Sequence, residues 1–182
     1  LMRPNSPQAW LLAARPKTLT ATVVPVILSC ALAFADRQFQ AKEAVLCLLF
    51  ACLMQVAANY INDLFDFRKG SDRSDRLGPQ RACAEGWITP HAMTIGIGVV
   101  LALACTCGLG VLYSVWGKLP YGGWELVLLG VLCLLFAFLY TTVLSYRGWG
   151  DVLVLVFFGF VPVGGTYYVQ TGQVNGDVCL LS

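Results

Sequence analysis

Five long apolar runs dominate the chain, at about 19–35, 43–61, 92–116, 125–143 and 152–170. "TLTATVVPVILSCALAFA" and "ELVLLGVLCLLFAFLYTTV" show the type. Each is almost unbroken in apolar residues and close to the ~20 residues that cross a bilayer core. Strands of a membrane barrel would alternate apolar and polar positions, and these runs do not, so helices are the predicted spanning element. A sixth run begins at Val178 and the sequence stops at Ser182. The predicted fold class is an all-α membrane protein, a multi-span helical bundle. Residues 1–182 read as the N-terminal part of a single transmembrane domain, expected to stop mid-architecture.

Between the runs, polar chain is scarce. "WGKLPYGGW" and "SYRGWG" are short turns rich in Gly and aromatic residues, as at a membrane interface. Pro7 and "ARPK" mark an interfacial lead-in to the first span. The one sizeable polar segment runs from about 63 to 91, and five of the ten carboxylates lie between Asp63 and Glu85.

Composition agrees with the pattern. The 182 residues are 58% hydrophobic and 12% charged, against roughly half and a quarter in soluble domains. The formal charge of +2 says little, but its distribution orients the chain. With the N-terminus inside, nine basic residues face the cytoplasm: Arg3, Arg15, Lys17, Arg68, Lys69, Arg73, Arg76, Arg81 and Arg147. Three face out: Arg37, Lys42 and Lys118. The acidic loop is therefore expected in the cytoplasm. The first span has basic residues upstream and "ALA" at 31–33, as a cleaved leader would, but four more spans follow and it is read as retained.

Eight cysteines are scattered through apolar runs, with Cys47, Cys52, Cys105, Cys107 and Cys133 inside predicted spans. They read as small buried hydrophobes, not as a disulfide framework. "CTC" at 105–107 lacks the second ligand pair of a zinc site. The single histidine, His91, stands at the start of the third span, where an interfacial role is expected.

The chemistry is concentrated in "NYINDLFDFRKGSDRSDR" at 59–76. Asn59, Asn62, Asp63 and Asp66 follow the spacing i, i+3, i+4, i+7, which is one face of a helix continuing the second span, and Gln55 lies on the same stripe. Amides this deep are costly against lipid, so the stripe is predicted to face the bundle interior or a cavity. The competing reading is a solvated helix end with a charged loop. Gathered carboxylates repel unless a cation or proton intervenes. Hard oxygen ligands, few per ion, suit Mg²⁺, which keeps waters and bridges to substrate phosphates. The interleaved Lys69, Arg73, Arg76 and Arg81 suit phosphate oxygens, or serve as a positive-inside anchor. A lipid-linked diphosphate is the ligand class suggested. Gly70 is predicted to close the helix in a left-handed cap and Gly78-Pro79 to turn, making the loop a structured lid.

"NDLFDFRKGSD" followed by "DRLGPQR" resembles the first aspartate-rich motif of the UbiA superfamily of intramembrane prenyltransferases, closest to its 1,4-dihydroxy-2-naphthoate polyprenyltransferase (MenA-like) branch. "ARPKTLTATVVPV", "GWITPHAM" and "GWGDVLVLVFFGFVPVGGTYYVQTG" extend the likeness over most of the chain. The resemblance implies a nine-helix ring, in a bacterial plasma (inner) membrane, around a cavity open to lipid. It implies Mg²⁺ as cofactor, a polyprenyl diphosphate donor and dihydroxynaphthoate as acceptor, with decarboxylation giving demethylmenaquinone. No nucleic-acid partner is expected.

Carried over residue by residue, Asn62, Asp63 and Asp66 match the "NDxxD" core. The resemblance makes Asn62, Asp66 and Asp72 catalytic, and Asp63, Asp66 and Asp72 metal ligands; Asp72 enters because Gly70 stands where the broader pattern has an aspartate. Diphosphate contacts fall to Arg15, Asn59, Lys69, Arg73, Arg76, Arg81, Tyr140 and Arg147, the last because Leu144 stands where other members have a basic residue four after the tyrosine. Tyr60, Phe65 and Tyr140 are candidates to face an allylic cation, with core or lipid packing as the alternative. The family's second aspartate motif would lie beyond Ser182, so residues 1–182 alone are expected to be inactive. The alternative within the family is a prenyltransferase acting on another aromatic acceptor, and two other classes compete. A CDP-alcohol phosphatidyltransferase would need a "DGxxAR" element that is absent here. A cation transporter would place acidic residues near the midplane of several spans, whereas these sit at one end.

Overall fold

The computed structural model describes residues 3–70, 81–142 and 155–173, and within these ranges it is helical. A short helix, α1 (Pro7–Ala14), comes first. Ser6 caps it, its Oγ accepting from the Ala9 N–H at 3.4 Å, and Pro7 fills the first position, where no N–H is needed. The lead-in read from the sequence is thus a helix of its own, too short to show a periodicity.

Three helices follow that are long and apolar enough to cross a membrane: α2 (Pro16–Ala35), α3 (Ala41–Lys69) and α4 (Pro90–Val115). The protein is an integral membrane protein. α5 (Trp124–Thr142) is a fourth, with a shorter apolar stretch at Trp124–Leu139. At ~1.5 Å per residue, the 29 residues of α3 reach about 43 Å, well beyond the ~30 Å hydrocarbon core. So long a helix is not contained in the apolar layer, and the polar stripe lies on its last turns. Gly70 ends α3 at φ 63°, its N–H returning to the Asp66 and Phe67 carbonyls. That is the left-handed cap expected there. Thr89 caps α4 by accepting from the Ala92 N–H, with Pro90 at the first position.

The last predicted span differs from expectation. It is not one regular helix: a π-helical stretch (Leu155–Phe160) leads into α6 (Val161–Thr171). Pro162 lies at the start of α6, and its ring has no N–H and crowds the carbonyl four residues earlier. Widening the turn ahead of it relieves that conflict.

α3 is the hub, with α1, α2, α4, α5 and α6 all packed against it. Glycine lets α4 come close. A Cβ at Gly108 would stand 3.3 Å from Phe50, and one at Gly96 only 2.5 Å from the Trp10 ring. One end of the bundle is cored by Ala9, Ile61, Leu64, Ile88 and Met93. At the other end, polar ties fix α6. Gln40 and Gln170 exchange three hydrogen bonds of 2.6–3.1 Å, Tyr167 donates to Asp36, and Tyr168 donates to Glu125. Seven cysteines fall among the described residues, Cys47 and Cys83 buried and the rest half-buried.

Candidate functional site

The polar stripe of α3 does face protein. Gln55, Asn59 and Asp63 are buried, and Asn62 and Asp66 are half-buried. Each part of it meets a different neighbour.

The upper part holds the elbow between α1 and α2. Ala14 is followed by Arg15-Pro16, and a residue before proline is kept out of the α region, so the two helices cannot run on as one. Arg15 bends the chain instead in a left-handed conformation, φ 53° and ψ 68°. For a non-glycine residue this costs roughly 1–2 kcal/mol, and neighbouring groups must offset it. Asn59 does so: its amide N–H₂ donates to the Ala14 carbonyl at 2.9 Å and to Thr18 Oγ1 at 3.0 Å. The Thr18 hydroxyl in turn donates to the Arg15 carbonyl at 2.9 Å. Gln55 extends the network to Thr18, Thr22 and Asn59, each at 3.4 Å. Asn59, predicted to touch diphosphate, thus braces the backbone that carries the half-buried Arg15. Thr18 and Thr22 escaped the sequence reading, although their i, i+4 spacing in the first span was the available signal.

The lower part holds the loop after α3. Asp66 pairs with Arg81, and the two side chains are only 14% and 8% exposed. Asp63 is 1% exposed, and its two oxygens accept from the backbone N–H groups of Ala82 and Cys83 at 2.7 and 2.8 Å. These amides open a helical turn in which Glu85 N–H returns to the Arg81 carbonyl and Trp87 N–H to that of Ala82. The first N–H groups of such a turn have no partner within it. Asp63 supplies the acceptors from another helix.

The other predicted residues fall as follows. Asn62 lies on the same turn as Asp63 and Asp66, and among the described residues its amide has no hydrogen-bond partner. Lys69 stands exposed on the last turn of α3. Tyr140 belongs to the last turn of α5, and its side chain lies outside the described residues, as do Asp72, Arg73, Arg76, Arg147 and the Gly78-Pro79 turn. The Tyr60 hydroxyl donates to the Trp10 carbonyl at 3.2 Å, and its ring meets Trp10 edge-on at 5.3 Å. Phe65 is partly buried against the same core. His91 is exposed on the first turn of α4.

A half-buried carboxylate paired with a buried guanidinium, with a half-buried amide one turn away, thus stands at the end of a spanning helix. The set supplies hard oxygen donors and a planar cation with several N–H groups, both suited to a phosphate-bearing ligand. No three of His, Cys, Asp and Glu converge as a metal cage among the described residues. An ion held here would therefore draw further oxygens from a ligand.

Comparison with known proteins points the same way. The 1,4-dihydroxy-2-naphthoate octaprenyltransferase of Haemophilus influenzae is 36% identical over 180 residues, which is 94% of this chain and 57% of that protein. The Escherichia coli protein of the same name is 38% identical over 167 residues, 90% of this chain and 54% of its own length. A Drosophila melanogaster UbiA prenyltransferase domain-containing protein 1 homolog is 30% identical over 173 residues, covering 92% of this chain and 46% of that protein. The chain thus spans about half the length of the curated relatives it matches. The model of the UbiA prenyltransferase family matches residues 22–182, nearly the whole sequence, taking in the spanning helices and the Asp66–Arg81 pair alike; the chain belongs to the UbiA prenyltransferase family.

Proposed function

We propose that the whole protein transfers a polyprenyl group from a polyprenyl diphosphate to 1,4-dihydroxy-2-naphthoate at the end of α3. The allylic C–O bond breaks and diphosphate leaves. A C–C bond forms at the ring carbon that carries the carboxylate, and that carboxylate departs as CO₂. The product is the quinol form of demethylmenaquinone. The observation that carries this reading is the Asp66–Arg81 pair, a half-buried anion against a buried cation at the end of a membrane helix. Family membership favours an enzyme over a cation transporter, and the names of the two bacterial relatives supply the acceptor.

The residues divide the work. The Arg81 guanidinium donates to diphosphate oxygens through its planar fork. Arg15, held at the elbow on the same end of the bundle, adds a second cation, and Lys69, Arg73, Arg76 and Arg147 are further candidate contacts to the diphosphate by their place in the sequence. The Asp66 carboxylate and the Asn62 carbonyl are the described oxygens for a metal ion, with Asp72 a further carboxylate of the same loop. Mg²⁺ fits that set, since it needs only one or two protein carboxylates when phosphates provide its other oxygens. Bound there, it supplies neutralisation of the leaving diphosphate. Tyr140, in the last turn of α5, is a further proposed contact to the donor.

The test is an assay of the whole protein in membranes with a polyprenyl diphosphate, Mg²⁺ and dihydroxynaphthoate carrying a labelled carboxylate. Labelled CO₂ is expected in equal amount to prenylated product. Prenylation of another aromatic acid in preference, with the naphthoate untouched, would reject this acceptor.

The orientation belongs to the same proposal, with the N-terminus and the loop after α3 in the cytoplasm, from the nine-to-three bias of basic residues. Glu85 and Lys118 are both exposed, at opposite ends of α4. In a background without native cysteines, Glu85→Cys is expected to react with an impermeant thiol reagent only from the cytoplasmic side, and Lys118→Cys only from the other. The reverse pattern would place the diphosphate site on the wrong face for a cytoplasmic donor.

A further inference from the structure

Asp63 and Asp66 are one helical turn apart, yet their carboxylates meet different groups. Asp66 faces a mobile kind of partner, the end of an arginine side chain. Asp63 faces backbone: both of its oxygens are taken by consecutive N–H groups, of Ala82 at 2.7 Å and Cys83 at 2.8 Å, and the residue is 1% exposed. Arg81 immediately precedes those two amides. One turn of α3 therefore grips three successive residues of the loop, two by backbone and one by side chain.

We propose that Asp63 is a positioning residue. Its carboxylate locks Ala82 and Cys83 onto α3, and so sets the Arg81 guanidinium beside Asp66, where it meets the diphosphate. On this assignment Asp63 does not ligate the metal. The chemistry supports the division. An ionised carboxylate accepting two backbone N–H bonds makes charge-assisted contacts, stronger than neutral ones. Each oxygen keeps a second lone pair, but Asp63 is 1% exposed, so an ion could reach it only by unseating the loop and breaking its buried amide bonds. Asp66 needs no such sacrifice, because a guanidinium can shift from carboxylate to phosphate by side-chain rotation. The site thus separates a fixed carboxylate that sets the loop from an exchangeable one that meets the ligand.

The inference deepens the function proposed above, and its test has an arm that does not depend on that function. Cys83 lies inside the clamp and is 4% exposed. In the whole protein with Cys83 as the only cysteine, its reaction rate with a membrane-permeant maleimide reports whether the loop is seated. Asp63→Asn, which keeps one acceptor oxygen but turns N–H donors toward the second amide, is expected to speed labelling about tenfold or more, since the clamp then opens more often. Asp66→Asn is expected to leave labelling slow. Equal, slow labelling of native and Asp63→Asn proteins would overturn the clamp.

A second measurement needs no change at Asp63. With the native carboxylate, adding MgCl₂ and inorganic diphosphate is expected to leave Cys83 labelling unchanged or slower. Acceleration of about tenfold on adding the metal and diphosphate would show the carboxylate leaving Ala82 and Cys83, and would overturn the assignment. The kinetic arm separates positioning from ligation. Asp63→Asn is expected to lower kcat and raise KM for the donor through a misplaced Arg81, with the Mg²⁺ concentration for half-maximal rate shifted by no more than about twofold. A large rise in that concentration, with Cys83 still protected, would make Asp63 a ligand. Loss of naphthoate prenylation in the native protein would count against the proposed function alone, because both labelling arms would still read out.

Discussion

Asp66→Ala in the whole protein is expected to lower prenyl transfer at least a thousandfold while the protein still inserts and folds. On the proposed mechanism this carboxylate is the one described side chain that both meets Arg81 and can turn toward a metal-bound diphosphate. A thousandfold loss corresponds to about 4 kcal/mol of transition-state stabilisation. Removing one well-placed electrostatic group from a water-poor site has effects of that order. Deleting the side chain also takes a partner from Arg81, which is 8% exposed. Breaking a buried ion pair from one side costs roughly 3–5 kcal/mol of stability, so Asp66→Asn is the necessary companion. It keeps an acceptor oxygen for Arg81 but no charge, and is expected to retain the native amount in membranes with the same loss of turnover. Near-native turnover by Asp66→Asn at saturating donor would mean that the negative charge is not used, and the proposed role of Asp66 would fail.

Withdrawal of divalent metal is expected to have an effect as large. The described residues offer one exchangeable carboxylate, Asp66, and one amide carbonyl, Asn62, so little negative charge from the protein waits near the leaving group. Arg81 and Arg15 contribute cations, but a departing diphosphate carries more charge than two guanidinium groups offset. Chelation with EDTA is therefore expected to stop turnover, by about a thousandfold or more, and Mg²⁺ to restore it. Ca²⁺ is expected to restore little, because it is larger and takes more ligands at longer distance than a sparse octahedral set provides. The measurement is initial rate against free metal concentration. Retention of roughly a tenth of the rate in EDTA, a barrier change of only about 1.4 kcal/mol, would leave the arginines as the main stabilisers.

Comparison of the sequence with the folded molecule separates local information from long-range information. Two of the apolar runs match their helices nearly to the residue: 92–116 became Pro90–Val115, and 125–143 became Trp124–Thr142. The Gly70 cap was equally legible. Each depends on composition and backbone preference within a few turns. The break ahead of α6 was readable from Pro162 but was subsumed in an apolar run. α1 is short, and its identity lies in a Ser-Pro cap and not in a pattern.

The site divides along the same line. Spacing alone put Asn59, Asn62, Asp63 and Asp66 on one face of a helix and set that face at the membrane boundary. Spacing also made the four residues look equivalent, because a helical face carries no record of what packs against it. The fold distinguishes them. Asn59 meets the carbonyl of Ala14 across 45 positions of sequence, and Asp63 meets the amides of Ala82 and Cys83 across 19 and 20. Tyr60, one residue from the stripe, donates its hydroxyl to the Trp10 carbonyl. Hydropathy and helical period are local properties, so the sequence by itself determined that this is a helical membrane protein with a carboxylate-bearing helix end. Which carboxylate is spent on backbone and which is left beside an arginine depends on hydrogen bonds to distant residues, and those exist only once α1, α2 and the loop after α3 have closed onto α3.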